Sequence, residues 1–411
     1  MLCLSVVINL GLLFYFKYLL FFTDNTNALL EYLNVDFRFP LLYVILPFGI
    51  SFYTFETISY SVDVYRGIIK PEKKFLDYLL FVTFFPKLVA GPIQRASELI
   101  PQFKKWQRFS LSSTSYALKR LLYGLFLKVV LADNIAPLVD EMFLINYEYA
   151  SGVDVLTMAF LFGFQIYFDF SAYSHIALGT AKLFGIDIPE NFNFPYISLS
   201  LRDFWKRWHI SLSAWIRDYL YLPLAGVKVS KSSGINGIGK SLNEKNIPKT
   251  NRALFLTWAI MGIWHGSNWT FLFWGLYHAV FIYLERIVKP YTGKVKFLNN
   301  KWVTWGVTLV ISMLSWIPFR ANSIKDTFVL YSKIFEIDNF FNLSFRENTY
   351  IVTFMVLLMF MLTYYVNTFI MPKIKKRYYT YLILSLFQYF VIVFLIFIFL
   401  KPINQFIYFQ F

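Results

Sequence analysis

Residues 153–183 read VDVLTMAFLFGFQIYFDFSAYSHIALGTAKL, and this long apolar run decides the class of fold. A helix needs only about 20 apolar residues to cross a bilayer. Further apolar runs lie near residues 2–22, 40–60, 75–91, 115–135, 253–263, 269–289, 302–319, 349–371 and 378–400. We therefore expect an all-α polytopic membrane protein with about ten spans.

The composition supports this class of protein. Hydrophobic residues make up 57% of the 411-residue chain and charged residues only 15%, whereas soluble proteins carry about 25% charged residues. The formal net charge of +15 fits the excess of lysine and arginine in cytoplasmic loops of membrane proteins. Since no basic soluble domain is evident, nucleic acid is not an expected partner. The single cysteine, Cys3, excludes a disulfide framework or a CxxC metal site within the chain.

Several of the apolar runs are irregular. Residues 1–22 lack a basic first segment and a small-residue cleavage site, so we expect a retained membrane helix rather than a signal peptide. Pro47 and Gly49 interrupt another run, and the run at 253–263 is too short to span alone. Broken or re-entrant helices in a membrane need protein or a cavity to satisfy their backbone groups. The irregular runs therefore indicate an internal cavity.

The charged loops predict the orientation of the chain. Basic residues cluster in segments 70–74, 103–108, 202–252 and 373–377, which we expect to be cytoplasmic. Segment 136–153 has acidic residues and neither lysine nor arginine, and segment 320–348 has mixed charge. We expect these two segments on the opposite side of the membrane.

Residues 202–223, RDFWKRWHISLSAWIRDYLYLP, have apolar side chains at helical spacing with basic residues between them. This pattern predicts one amphipathic helix at the cytoplasmic interface. Its tryptophans fit a plain membrane anchor. His209 is not needed for anchoring, and it lies at the boundary of the apolar face, from which it could face a cavity.

Other ionisable residues also fall within apolar runs. Asp169 requires a partner or a proton there, and an ion pair with an arginine would hold two helices together. His175, six residues later, fits a packing role. Glu56 and Asp63 are seven residues apart and so lie on about one face of a helix. The segment PKLVAGPIQR at 86–95 fits either a hinge or part of a site for an anionic substrate.

Residues 261–269, MGIWHGSNW, place His265 at membrane depth, where an ionisable side chain is costly. No carboxylate or cysteine lies within a few residues, His278 is thirteen residues away, and no GxSxG motif is present. A zinc site and a serine-hydrolase elbow are therefore unsupported. Two interpretations remain: a general base that takes a proton from an alcohol, or a histidine bonded within a packed core.

Several longer motifs occur in a fixed order. These are LPFGISFYTFETISYSVDVYRG, FPKLVAGPIQR, FDFSAYSHIALG, GIDIPENFNFPY, RDFWKRWHISLSAWIRDYLYLPL, WHGSNWTFLFWGLYHA and WIPFRA. Together they make nearly the whole chain resemble the membrane-bound O-acyltransferase (MBOAT) family. Within that family the sequence is similar to the alginate O-acetyltransferase branch of bacterial polysaccharide acetylation proteins.

The resemblance implies a fold and a reaction. It implies a single membrane domain over residues 1–411, a ring of membrane helices around a thin centre, and a tunnel to the active site. The implied donor is acetyl-CoA, with no bound cofactor or metal. The implied partner is a separate extracytoplasmic acetyltransferase, and the implied location is the cytoplasmic (inner) membrane. His265 matches the family's essential histidine and His209 the second one. We add Arg207, Asp169 and Trp264 as candidates for contact with donor or substrate.

The sequence departs from the family pattern in two places. Relatives usually carry about two further helices before the segment that matches INLGLLFYFKY, so we expect two N-terminal helices to be missing. Relatives also usually read Gly-Tyr-Ser-Asp where this chain has Ala172, Tyr173, Ser174 and His175. We therefore expect His175 to have no catalytic role.

Two alternatives remain. D-alanyl transfer to teichoic acid uses the same family chemistry with an acyl carrier protein as the donor. A transporter or scaffold would explain the spans and the broken helices, although it explains the RWH and WHG motifs poorly.

Overall fold

The computed structural model describes all residues except 107, 109, 228–249, 293–299, 403–404 and 408–411. Within the described residues the regular structure is helical and contains no strand. The main helices are α1 (Leu2–Tyr32), α2 (Ile50–Tyr65), α3 (Phe75–Thr83), α4 (Ala96–Phe103), α5 (Leu111–Phe143), α6 (Gly152–Leu183), α7 (Leu201–Arg207), α8 (Ile210–Ile216), α9 (Thr250–His265), α10 (Trp269–Tyr291), α11 (Lys301–Arg320), α12 (Ile324–Lys333), α13 (Glu347–Ile374) and α14 (Tyr378–Ile398).

Seven of the described helices are long and apolar enough to cross a membrane, namely α1, α5, α6, α10, α11, α13 and α14. The prediction of an all-α polytopic membrane protein is therefore confirmed. Three predicted spans form shorter helices of 16, 9 and 16 residues, which are α2, α3 and α9. In the first of these, residues 40–49 are not helical, and α2 begins only after Gly49, which has a φ of +73°.

Helix α6 forms the centre of the molecule. Of its most apolar window, 89% is buried, compared with 11% for the corresponding windows of α1 and α14. Glycines let α5 approach it closely, because a Cβ at Gly124 would lie 2.8 Å from the carbonyl oxygen of Ala172. A Cβ at Gly179 would likewise lie 2.8 Å from the carbonyl oxygen of Ala117. Small residues at such crossings are typical of membrane helices.

Two ion pairs join loops that the charge pattern predicts on the same side of the membrane. Lys104 pairs with Glu72, which joins two basic segments. Arg320 bonds Asp140 at 2.9 Å, which joins segments 136–153 and 320–348. The sidedness itself stays a prediction. Much of the basic segment 202–252 falls in 228–249 and so lies outside the described residues.

Candidate functional site

The tryptophan-rich segment is interrupted at its histidine. Helix α7 ends at Arg207, and α8 begins at Ile210. Between them His209 adopts a left-handed conformation with φ 44° and ψ 55°, which costs an L-residue about 1–2 kcal/mol. The prediction of one continuous amphipathic helix is therefore wrong. Its three tryptophans, Trp205, Trp208 and Trp215, are buried within the protein, so they are not an anchor at the bilayer surface.

Asn191 holds this break in place. Its backbone carbonyl accepts from the amide of Ile210 at 2.9 Å. Its side-chain Oδ1 accepts from the amide and the hydroxyl of Ser211, at 3.2 and 2.9 Å. The same oxygen lies 3.1 Å from Nδ1 of His209. Because an amide oxygen only accepts, Nδ1 of His209 carries the proton, and Nε2 carries the lone pair.

His265 is the last residue of α9, at the tip of a tight hairpin with α10. Two glycines allow the close contact, since a Cβ at Gly262 would lie 2.3 Å from the carbonyl oxygen of Phe271. A Cβ at Gly275 would lie 2.1 Å from the carbonyl oxygen of Trp258. Gly266 is needed as well, because its Cβ would overlap the ring of Phe271. The glycine of the WHG motif thus serves helix packing next to the histidine.

Aromatic rings enclose the imidazole of His265. Its ring centroid lies 4.8 Å from those of Trp264 and Trp274 and 5.3 Å from that of Phe319. Only 8% of the residue is exposed. This apolar surrounding fixes the orientation of the ring and excludes most water.

Burial favours the neutral form of both His209 and His265. They lie outside the seven long helices, and burial lowers the pKa of His209 to about 3. Burial, followed by the neighbouring Lys17, His209 and His278, lowers the pKa of His265. A neutral imidazole is the form that can accept a proton from a hydroxyl group.

A cavity of about 610 Å³ includes in its wall Ile210, the residue after His209, and Met261, four residues before His265. Five basic side chains, those of Arg202, Lys206, Arg217, Arg286 and Lys289, line it together with Glu285. Its apolar wall includes Trp205, Trp258 and Met261. Met261 lies one helical turn before His265 on α9, so the two side chains share a face of the helix. The cavity wall thus includes a residue one helical turn from His265.

A second, smaller pocket of about 80 Å³ includes His265 in its wall. Lys17, Trp264 and the turn at residues 46–52 form other parts of the wall. Phe52 of this turn also stacks on His209, with the ring centroids 6.2 Å apart. His265 therefore contacts the small pocket directly and lies within one helical turn of the large cavity.

The remaining predicted site residues have different surroundings. Trp264 lines the small pocket rather than the cationic cavity. Arg207 does not line that cavity either and bonds Asp203 at 3.1 Å. Asp169 accepts from Lys128 at 2.7 Å and from the amide of Ile407 at 2.6 Å. The expected arginine partner of Asp169 is thus a lysine. His175 bonds Arg120 at 2.7 Å between α5 and α6.

Glu56 and Asp63 both point into the protein from α2. Glu56 pairs with Lys87, and Asp63 accepts from the hydroxyl of Tyr219 at 2.7 Å. Arg95 bonds Asp218 at 2.8 Å. Both cations of the segment 86–95 are thus neutralised by carboxylates, which favours a structural role for this segment over an anionic-substrate site.

Sequence reasoning missed three parts of the site. Asn191 lies in a loop and has no local pattern that indicates its contact with His209. Lys17 lies in an apolar helix, and its ammonium contacts a helix end almost 250 residues away in sequence. Arg286 and Lys289 follow the apolar part of α10, and basic residues at such a position also fit ordinary interfacial anchoring.

The described residues include no group of three histidine, cysteine, aspartate or glutamate side chains that could hold a metal ion. The arrangement instead offers a neutral imidazole, a second imidazole with its lone pair on Nε2, and a cationic cavity. These groups suit proton transfer next to an anionic, apolar-tailed molecule.

Comparisons with known proteins agree with this chemistry. The family model of the membrane-bound O-acyltransferases matches residues 69–324. A protein named probable alginate O-acetylase from Azotobacter vinelandii is 37% identical over 334 residues, which cover 81% of this chain and 62% of that protein. A peptidoglycan O-acetyltransferase from Helicobacter pylori is 35% identical over 353 residues, or 79% of this chain and 62% of that protein.

A teichoic acid D-alanyltransferase from Bacillus subtilis is also similar, at 30% identity over 262 residues, or 62% of this chain and 63% of that protein. The chain therefore spans somewhat under two thirds of the length of these relatives. Because the family model covers more than half of the chain, including His209 and His265, the protein belongs to the membrane-bound O-acyltransferase family.

Proposed function

We propose that this protein is an O-acyltransferase that moves acetyl groups from acetyl-CoA toward O-acetylation of a cell-surface polysaccharide such as alginate. One observation carries the proposal: the buried imidazole of His265 lines a small pocket and lies one helical turn from Met261, which lines a large cationic cavity. Relatives named for O-acetylation of alginate and peptidoglycan support the acetyl group and the hydroxyl acceptor.

The donor would enter through the cationic cavity. The phosphates of coenzyme A are anionic, and arginine and lysine bind phosphate through charge-assisted hydrogen bonds. The apolar wall of Trp205, Trp258 and Met261 suits the less polar arm that carries the thioester. Helix α9 has 16 residues and a length of about 24 Å. The hydrocarbon core of a bilayer is about 30 Å thick, which is more than the length of α9. The protein would therefore be thinner than the bilayer at this helix, and the thioester would have a shorter path to His265.

His265 would act as the general base. Its imidazole would take the proton of the acceptor hydroxyl while the oxygen attacks the thioester carbonyl. The carbon–sulfur bond then breaks, and the coenzyme A thiolate receives the proton from the imidazolium. His209, whose Nε2 holds its lone pair, would serve as a second base or orient the reacting groups. General bases of this kind contribute typically 10²–10⁴-fold to rates.

The proposed setting is the cytoplasmic membrane, with a single membrane domain. His265 packs on Phe319, and the hairpin tip bonds Asn322 through Asn268 at 3.1 Å. This end of the molecule carries segments 136–153 and 320–348, which we place outside the cell. A transfer site near that face suits delivery to a separate extracytoplasmic acetyltransferase that completes transfer to the sugar.

The test is His265→Ala, measured in purified protein in lipid nanodiscs with labelled acetyl-CoA. We expect thioester cleavage to fall at least 100-fold, because the base is lost. His175→Ala is the matched control, since it also removes a histidine, which is half-buried and lies outside the site. Thioester cleavage at the wild-type rate in His265→Ala would contradict the proposal. Intact thioester with the wild-type protein would favour a transporter or scaffold.

The donor cavity has its own test. Arg286→Gln removes one cation from the cavity wall, and we expect the KM for acetyl-CoA to rise about 10-fold, which corresponds to about 1.4 kcal/mol of lost phosphate binding. Acetyl-pantetheine, which lacks the nucleotide phosphates, serves as the control and should show an unchanged KM. Equal losses for both donors would argue against phosphate binding at this position.

D-alanyl transfer is the second candidate, and the similarity to a teichoic acid D-alanyltransferase supports it. Its donor would be an acyl carrier protein rather than acetyl-CoA. Chemical analysis of the envelope separates the two reactions, because one yields acetyl esters and the other alanyl esters.

A further inference from the structure

Helix α1 reaches the end of α9 through two adjacent side chains. Lys17 donates from Nζ to the carbonyl oxygens of Trp264 and His265, at 2.7 and 3.0 Å. Tyr18 donates its hydroxyl to the carbonyl of Ile263 at 3.0 Å. The last carbonyls of a helix have no partner within the helix. Helix α1 therefore satisfies three consecutive carbonyls at the helix end that carries His265.

The backbone of α1 is altered at this contact. Residues Phe14–Tyr18 form a π-helical turn within the longer helix. Neighbouring side chains on a regular α-helix point about 100° apart. Lys17 and Tyr18 are neighbours in the chain, yet both contact the same end of α9 from within the π-turn. Such π-turns frequently lie at functional sites.

Lys17 also belongs to the wall of the 80 Å³ pocket that includes His265. A pocket of this size holds a few water molecules or a small group such as a hydroxymethyl. The ammonium lies at the negative end of the α9 dipole, where a cation is stabilised. Lys17 is therefore more than a cap of the last carbonyls of α9, because it shares a small pocket with the imidazole.

The charge environment of His265 consists of few groups. Lys17 approaches from α1, His209 from the break before α8, and His278 from α10. Helices α2 and α11 contribute aromatic rings, through Phe52 and Phe319. Among the described residues that influence its charge there is no carboxylate. Lys17 is thus the described lysine that acts on the charge of His265.

We propose that Lys17 is a positioning residue for the transfer reaction. Its amino group holds the carboxyl end of α9 so that the imidazole of His265 faces the small pocket, and it places an ionisable group next to that imidazole. This inference rests on the proposed function of His265. It goes beyond that function by assigning a role to a residue of α1, outside both histidine motifs.

The experiment uses the full chain in nanodiscs, with thiol release from acetyl-CoA as the readout and water as the acceptor. Lys17→Met removes both the charge and the hydrogen bonds. We expect kcat to fall about 10- to 100-fold with the KM for acetyl-CoA within twofold, because Lys17 does not line the cationic cavity. We also expect the acidic limb of the pH profile to move up by about one pH unit, since a nearby cation disfavours the protonated imidazole.

Three variants separate the contributions. Lys17→Arg keeps the charge and the donors and should restore most of the rate with the wild-type pH midpoint. Lys17→Gln keeps a donor without the charge and should show the shifted midpoint, and it replaces Lys17→Met if that variant does not fold. Tyr18→Phe removes only the neighbouring hydrogen bond and should leave the midpoint unchanged.

The outcomes distinguish this inference from the proposed function. A wild-type rate or a wild-type pH midpoint in both charge-free variants, with His265→Ala inactive, would overturn the role of Lys17 and leave that of His265 standing. Activity in His265→Ala would instead overturn the proposed function itself.

Discussion

Asn191→Ala tests how the loop before α7 controls the second histidine. The amide oxygen of Asn191 accepts from His209 Nδ1, from the amide of Ser211 and from its hydroxyl. Alanine removes all three bonds but keeps the backbone bond to Ile210. The imidazole of His209 can then rotate or move its proton to Nε2, and the lone pair is no longer held toward the site.

The expected magnitude follows from these bonds. Each buried hydrogen bond contributes about 0.5–1.5 kcal/mol, and leaving a buried partner unpaired costs about 1–3 kcal/mol. If the lost hydrogen bonds raise the activation free energy by about 1.5–3 kcal/mol, kcat falls roughly 10- to 150-fold. The remainder should appear as lower thermal stability, because the same bonds hold the strained conformation of His209.

The assay compares thioester cleavage and thermal unfolding in nanodiscs. Asn191→Asp keeps an acceptor oxygen and should recover part of the rate. Asn193→Ala is the matched control, since its exposed side chain lies two residues away in the same loop. A rate within twofold of wild type in Asn191→Ala would refute the reasoning that this amide orients His209.

Two further predictions concern packing and buried charge. Gly275→Ala places a Cβ 2.1 Å from the carbonyl oxygen of Trp258, so α9 and α10 must separate. We expect a large loss of thioester cleavage and a lower unfolding temperature. Gly306→Ala is the control and should change neither quantity, because a Cβ at Gly306 meets open space. Lys128→Met leaves the buried carboxylates of Asp133 and Asp169 without their cation and should reduce the free energy of unfolding by about 3–5 kcal/mol. The exposed Lys325→Met should have no effect on unfolding, and equal stability of the two lysine variants would show that the buried ion pair contributes little.

The sequence by itself determined the class of fold and singled out two candidate histidines. Long apolar runs imply spanning helices because a bilayer offers no partner for backbone groups. The motifs around His209 and His265 are local, and a histidine in an apolar segment is costly enough to be noticed. The short run at 253–263 also predicted an element too short to span alone, and α9 is a regular helix of only 16 residues.

The tertiary structure alone decided how these residues become a site. The segment 202–223 has a good helical pattern, yet contacts with Asn191 stabilise a break at His209 that local propensity opposes. Asp169 required a partner, but only the packing of α5 against α6 selects Lys128. Lys17 and His265 are 248 residues apart in the chain, and their contact depends on how α1 packs against α9. A pattern of side chains reports which face of a helix is buried, whereas the partner across that face is set by the arrangement of the whole bundle.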